Sequence, residues 1–321
     1  MHNKSLFIRN CRVIDPPSHL DTTADILIID GTIRAIGRDE SPPPTCPTLD
    51  ANGLIAAPGL IDMHVHLREP GHEYKETIRG GLECAIAGGV TAVATMPNTL
   101  PATDNPEVVS FVLKRAREAD TARLYPIGAV TRGLEGRELT EMGLMQRAGA
   151  RAFSDDGRPI TDSSVMRHAL EYAKAFDTLI IQHAEDPSLS HGGCMHEGIT
   201  SARLGLPGIP SAAENVMVER DIHLCALTGG RYHVAHISTA DAVAAVARAR
   251  ARGLPVSCEA APHHFTLTDE AVGPYNTYAK MSPPLRSESD RLALLEGLAR
   301  GDIEVIATAH APPDPASKRV E

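Results

Sequence analysis

From Pro58 onward, short apolar runs alternate with stretches of helical character, and this alternation narrows the fold more than any other feature. The runs cover 54–66, 91–97, 123–130, 151–155, 178–183, 232–238, 256–261 and 304–309. They are rich in Val, Ile and Ala and hardly alternate with polar residues, as expected for parallel strands covered on both faces. Helix signals fall between them. Asp104-Asn105-Pro106-Glu107 supplies a cap residue, a first-turn proline and an acid in order. Ser238-Thr239-Ala240-Asp241 opens another helix, which Gly253 can close, and Ser287-Glu288-Ser289-Asp290 opens a third. Eight such units over about 250 residues predict an α/β fold, a (β/α)8 TIM-like barrel. A doubly wound open sheet is the alternative. It would ordinarily carry a Gly-rich phosphate loop after its first strand, where this chain has His64-Val65-His66.

Residues 1–57 read differently. Leu6-Phe7-Ile8 and residues 26–33 are β-prone, Asp30-Gly31 is a turn signal between strands, and Ser41-Pro42-Pro43-Pro44 is a loop. We expect the N-terminal part of a small β domain here and the barrel over 58–321.

Composition removes several classes of function. A formal charge of -10 and 3% aromatic residues with no Trp argue against nucleic acid as a partner. No apolar run is long enough to span a bilayer, and Met-His-Asn-Lys-Ser is not followed by a signal-peptide core. Six scattered cysteines without a Cys-x-x-Cys pair are expected to be reduced thiols in a cytoplasmic protein.

In a barrel the chemistry sits at the C-terminal strand ends. There this sequence places His64, His66 and Arg68; Asn98; Asp155-Asp156-Gly157; His183; His233 and His236; His263-His264; and Ala309-His310. Singly, each has a plain explanation: a surface histidine, a turn, or an Arg paired with Glu69 or Glu73. Jointly, imidazoles or carboxylates close runs one, four, five and six, whose ends converge in a closed barrel. That pattern points to a metal centre. Imidazole and carboxylate ligands without thiolate suit catalytic Zn²⁺, and one carboxylate serving two ions would bridge a pair. Arg68 and Asn98 suggest a small anionic substrate with amide groups.

These residues carry a resemblance. Gly59-Leu60-Ile61-Asp62-Met63-His64-Val65-His66-Leu67-Arg68-Glu69-Pro70-Gly71 and Ala94-Thr95-Met96-Pro97-Asn98-Thr99 resemble two signatures of dihydroorotases of the bacterial type I group in the amidohydrolase superfamily. Phe153-Ser154-Asp155-Asp156-Gly157, residues 204–210, His233-Val234-Ala235-His236-Ile237-Ser238 and Lys280-Met281-Ser282-Pro283-Pro284-Leu285-Arg286 resemble further blocks. The resemblance covers essentially the whole chain. It implies a metal-dependent hydrolase barrel with a small β-sandwich domain. The implied reaction is reversible hydrolysis of dihydroorotate to N-carbamoyl-aspartate in pyrimidine synthesis. It implies His64 and His66 on one zinc ion, His183 and His236 on a second where present, and Asp156 bridging them, with Asp155 the weaker candidate. Arg68 and Asn98 would bind the substrate carboxylate, and Ser282 would border the ring. One or two zinc ions per subunit, a homodimer and association with aspartate carbamoyltransferase are the assemblies it leaves open. Hydantoinases and allantoinases share the fold and His-x-His but usually carry a carboxylated Lys on strand four.

Three departures stand out. The strand-eight motif of the family reads Ala-Thr-Asp-His-Ala-Pro, and here it reads Ala307-Thr308-Ala309-His310-Ala311-Pro312, so the general-base Asp is replaced by Ala309. Pro313 stands where relatives often have a His or Gln that reaches substrate. The chain ends soon after strand eight, so the last helix and the rest of the β domain are expected to be absent. These departures lead us to expect impaired turnover. A non-catalytic subunit scaffolding aspartate carbamoyltransferase, or another cyclic amidase, is the rival.

Overall fold

The computed structural model describes residues 5–38, 40–314 and 316–318. It divides into two compact units after Leu60.

The N-terminal unit is one five-stranded sheet. Leu6–Asp15 pairs antiparallel with Leu20–Ile29, which pairs antiparallel with Thr32–Gly37. Thr48–Asp50 and Ile55–Ala56 add in parallel to the first strand. Asp30 and Gly31 both have positive φ, at 51° and 74°, which is the backbone a two-residue hairpin turn of matching twist requires. Cys11, Val13, Ala24, Ile26 and Ala51 bury one face. The described residues make a single sheet; the two facing layers of a sandwich are not formed by residues 5–56 alone.

The second unit holds the barrel. Its strands are Leu60–Val65, Val90–Thr95, Arg123–Gly128, Ala152–Ser154, Leu179–Gln182, Arg231–Val234, Val256–Ala260 and Val305–Ile306, neighbours in that order in one eight-stranded sheet. The pairings from the second strand to the eighth are parallel. The ends join where Val65 bridges His310 in parallel and the His66 N–H donates to the His310 carbonyl at 2.8 Å. The sheet is therefore a barrel and not a doubly wound sheet. Each observed strand is shorter than its apolar run, because the runs continue past the last ladder bond into the loops that carry the polar residues.

Helices cover the strands, and their start signals act as read. Asn105 caps Pro106–Ala119 by accepting from the Val108 N–H, and Thr239 caps Ala240–Ala251 through Ala242. Ser287 caps Glu288–Arg300 through Asp290. In Ser163–Lys174 the buried residues Met166, Ala169, Leu170 and Ala173 follow helical spacing and join the main core. Among the described residues no helix is long and apolar enough to cross a membrane. All six cysteines are unpaired.

Candidate metal centre and substrate cavity

Four strand ends converge on one carboxylate. His64 and His66 stand two residues apart at the end of the first barrel strand and so share a side. Asp156, His183 and His236 follow the fourth, fifth and sixth strands. All five side chains are buried. Asp156 Oδ2 lies 3.4 Å from His64 Nε2 and 3.5 Å from His66 Nε2. Its Oδ1 lies 3.2 Å from His236 Nε2 and 3.6 Å from His183 Nδ1. Each carboxylate oxygen thus faces one imidazole pair. Two ligand groups result, His64–His66–Asp156 and Asp156–His183–His236, with the ligand atoms of each within 4.8 Å of one another.

The hydrogen bonds behind the rings fix which nitrogens face inward. His66 Nδ1–H donates to Asn98 Oδ1 at 2.8 Å, and His64 Nδ1–H donates to Glu259 Oε1 at 2.5 Å. Both Nε2 atoms then point at the centre, 3.2 Å apart. His183 Nδ1 and His236 Nε2 face each other at 2.9 Å. Buried lone pairs this close repel unless a cation or a proton lies between them. The buried His236 Nδ1 adds a polar atom with no hydrogen-bond partner among the described residues. This donor set fits a borderline divalent metal ion.

The charges agree. Burial works against ionised Asp156, but His64, His183 and His236 outweigh it and hold the carboxyl well below its usual range. Burial also opposes a charged His64, yet Asp156 and Glu259 keep its pKa well above that of an ordinary histidine. His66 is pushed down to about 4, because burial there outweighs Asp156.

The centre forms the floor of a cavity of about 770 Å³. Arg68, Asn98, Ser282, Ala309 and Pro313 line it together with the five metal-type residues, whereas Asp155, His233, His264 and His310, also at strand ends in the sequence, are not among its lining residues. Three of these residues sit in the left-handed region, Arg68 at φ 63°, His236 at φ 33° and Ala309 at φ 50°. Such backbone is costly for side chains other than Gly, Asn and Asp, and it clusters where a site fixes it.

Arg68 is not consumed by an ion pair. Glu69 instead pairs with Arg115 at 2.6 Å and accepts the Ile78 N–H, and Glu73 accepts the Gly71 N–H. The guanidinium donates from Nε to the Pro312 carbonyl at 3.2 Å, and no carboxylate among the described residues lies within ion-pair distance of it. Asn98 spends its carbonyl on His66, and its amide can still donate.

Asp155 faces away from the centre. It accepts the Val130 and Thr131 N–H groups at 2.9 Å and the Thr131 hydroxyl. Asp155→Ala would leave buried donors unpaired and is expected to cost about 1–3 kcal/mol of stability with no loss of bound metal. Denaturant unfolding and metal analysis of one preparation check both parts.

The sequence places His263 and His310 at strand ends but not what surrounds them, and it does not single out Glu259, Tyr278 or Lys318. Glu259 lies inside an apolar strand run, and only its isolation there as a carboxylate is a signal. His310 Nε2 contacts Glu76 Oε2 at 2.9 Å across 234 positions. His263, Tyr278, Lys280 and Lys318 also line the cavity.

The sequence profile described as Dihydro-orotase-like matches residues 53–242. The chain is 52% identical to the dihydroorotase of Solibacter usitatus over 316 residues, covering 98% of this chain and 73% of that protein. It is 52% identical to the dihydroorotase of Syntrophus aciditrophicus over 317 residues, covering 98% and 74%. Among solved structures, the L-hydantoinase (dihydropyrimidinase) of Arthrobacter aurescens matches with a TM-score of 0.82 and 26% identity, over 95% of this chain and 69% of that one. The chain belongs to the dihydroorotase family of metal-dependent cyclic amidohydrolases.

Proposed function

We propose that the cavity is a dihydroorotase site: it binds dihydroorotate and N-carbamoyl-aspartate, with zinc held by His64, His66, Asp156, His183 and His236. The observation that carries this is Arg68, a cation lining the cavity without a carboxylate partner among the described residues, beside a buried His and Asp cluster. Dihydroorotate brings the missing carboxylate. A hydantoin ring has none, and Asp156 stands where hydantoinases usually carry a carboxylated Lys.

In the reaction, water adds to the ring carbonyl carbon, the ring C–N bond breaks and the departing nitrogen gains a proton. A bound zinc ion supplies Lewis-acid polarisation and lowers the pKa of water. The chain's own residues do the rest. Arg68 holds the substrate carboxylate through its planar fork, and the Asn98 amide donates beside it, which fixes the ring over the metal residues. Ser282 and Pro313 line the same cavity. Position 309 faces the same cavity, but its methyl group cannot accept the proton from water or return it to the nitrogen. Turnover is therefore impaired while binding is retained. Unpaired cysteines fit a reducing compartment, and we place the protein in the cytoplasm, at this step of pyrimidine synthesis.

The test is calorimetric titration of the zinc-loaded protein with N-carbamoyl-aspartate and, separately, with hydantoin and allantoin. Only the first is expected to bind, and Arg68→Met is expected to weaken it on the order of 10- to 100-fold, the worth of one charged hydrogen-bonded contact. Tighter binding of a neutral ring, or no effect of the Arg68 change, would sink the assignment.

A further inference from the structure

We infer that Glu259 is a positioning residue for the metal centre, holding His64 from behind through its side chain and fixing the backbone at His236. The inference rests on the reading of the cavity floor as a metal site.

Glu259 sits in the seventh barrel strand, Val256–Ala260, between buried Cys258 and Ala260, and is itself 1% exposed. A carboxylate in that setting is costly unless it is paired and hydrogen-bonded, and packing alone would be served as well by Val or Ile. Its contacts account for its presence. Oε1 accepts from His64 Nδ1 at 2.5 Å and from the His236 N–H at 3.3 Å. Oε2 faces His233 Nε2 at 3.3 Å, and His233 Nδ1 meets Ser257 Oγ at 2.7 Å. The main chain adds a bond from the Ile237 N–H to the Glu259 carbonyl at 2.8 Å.

Two consequences follow. With Nδ1–H engaged, His64 has one orientation and one tautomer, and its Nε2 must face Asp156 and His66. And the chain is held where it turns at His236, whose positive φ aims that imidazole at the other oxygen of Asp156. One carboxylate therefore steers a ligand in each of the two groups. His66 receives similar support from a neutral group, Asn98, so the anionic support is given to His64 among these two rings.

The experiment uses Co²⁺ as the probe. The full chain is loaded with Co²⁺, its visible absorption recorded, and its affinity measured by competition with a chelator, for the parent, Glu259→Gln and His233→Leu. Glu259→Gln keeps the shape and removes the charge. It is expected to weaken Co²⁺ on the order of 10- to 100-fold, as loss of such outer partners does, and to change the ligand-field spectrum. His233→Leu touches no ligand and leaves Glu259 Oε2 unpaired. It is expected to weaken Co²⁺ less, and it serves as the test should the Gln variant not fold. A purely structural Glu259 would lower the melting temperature and leave affinity and spectrum unmoved; that result in a folded variant overturns the inference. Failure of the parent to take up Co²⁺ would instead overturn the metal-site reading, and the inference with it.

Discussion

Ala309→Asp is expected to raise dihydroorotate hydrolysis by the zinc-loaded protein by about 10²–10⁴-fold, the usual contribution of a placed general base. The backbone supports the substitution. Residue 309 has φ 50°, a conformation that Asp adopts far more readily than Ala. The neighbouring framework is also in place. Asp62 accepts the Thr308 N–H at 3.1 Å and the Thr308 hydroxyl, and His66 bonds the His310 carbonyl, so both sides of position 309 are anchored to the first strand. A carboxylate added to the cavity that already holds Asp156 is repelled by it until a cation is present. Zinc should therefore raise the melting temperature more in the variant than in the parent. Steady-state hydrolysis and a thermal melt with and without zinc read both effects. If the variant is folded and zinc-loaded but no faster, the disabled-base account fails. A subunit that scaffolds aspartate carbamoyltransferase then becomes the better one, and co-purification with that enzyme is its check.

The second large effect is at Asp156. Its two oxygens face different imidazole pairs, so a side chain with one good oxygen ligand cannot serve both. Asp156→Asn is expected to weaken metal binding by at least ~100-fold, since even outer partners of a ligand are worth 10- to 100-fold. It should also leave no more than one ion per chain. It removes the anion that faces four imidazoles, and loss of one member of a buried pair typically destabilises by about 3–5 kcal/mol, so the metal-free variant should also unfold earlier. Metal analysis after dialysis and Co²⁺ titration give stoichiometry and affinity. An unchanged metal complement at unchanged affinity would remove Asp156 from the centre. The contrast with Asp155→Ala, which should cost stability and spare the metal, separates two neighbours that the sequence presents as nearly equivalent.

That pair shows what was legible in the sequence and why. The strands could be read because parallel strands in a barrel are apolar on both faces, and a polar residue at the end of such a run stands out. His64, His66, His183 and His236 were visible for that reason, as was the Asn105 cap. The residues alone do not choose between Asp155 and Asp156, because adjacent residues near a strand end point to opposite sides and sequence does not mark which side is inward. Pairings across long separations were hidden. Arg115 reaches Glu69 across 46 positions and His310 reaches Glu76 across 234, so the plain reading of Arg68 as Glu69's partner could be removed only by geometry. Glu259 was hidden because a strand residue acquires a role only from what the neighbouring strands bring to it.

The convergence of ligands from the first, fourth, fifth and sixth strands also has a bearing on assembly. Residues 64 and 236 are distant in sequence, and no early fragment of the chain brings them together. Contacts of such long range are among the last for which closing the chain is repaid. Metal uptake should therefore follow barrel formation instead of nucleating it, and an ion seated there would act as a clasp across more than half the chain, slowing unfolding more than it speeds folding.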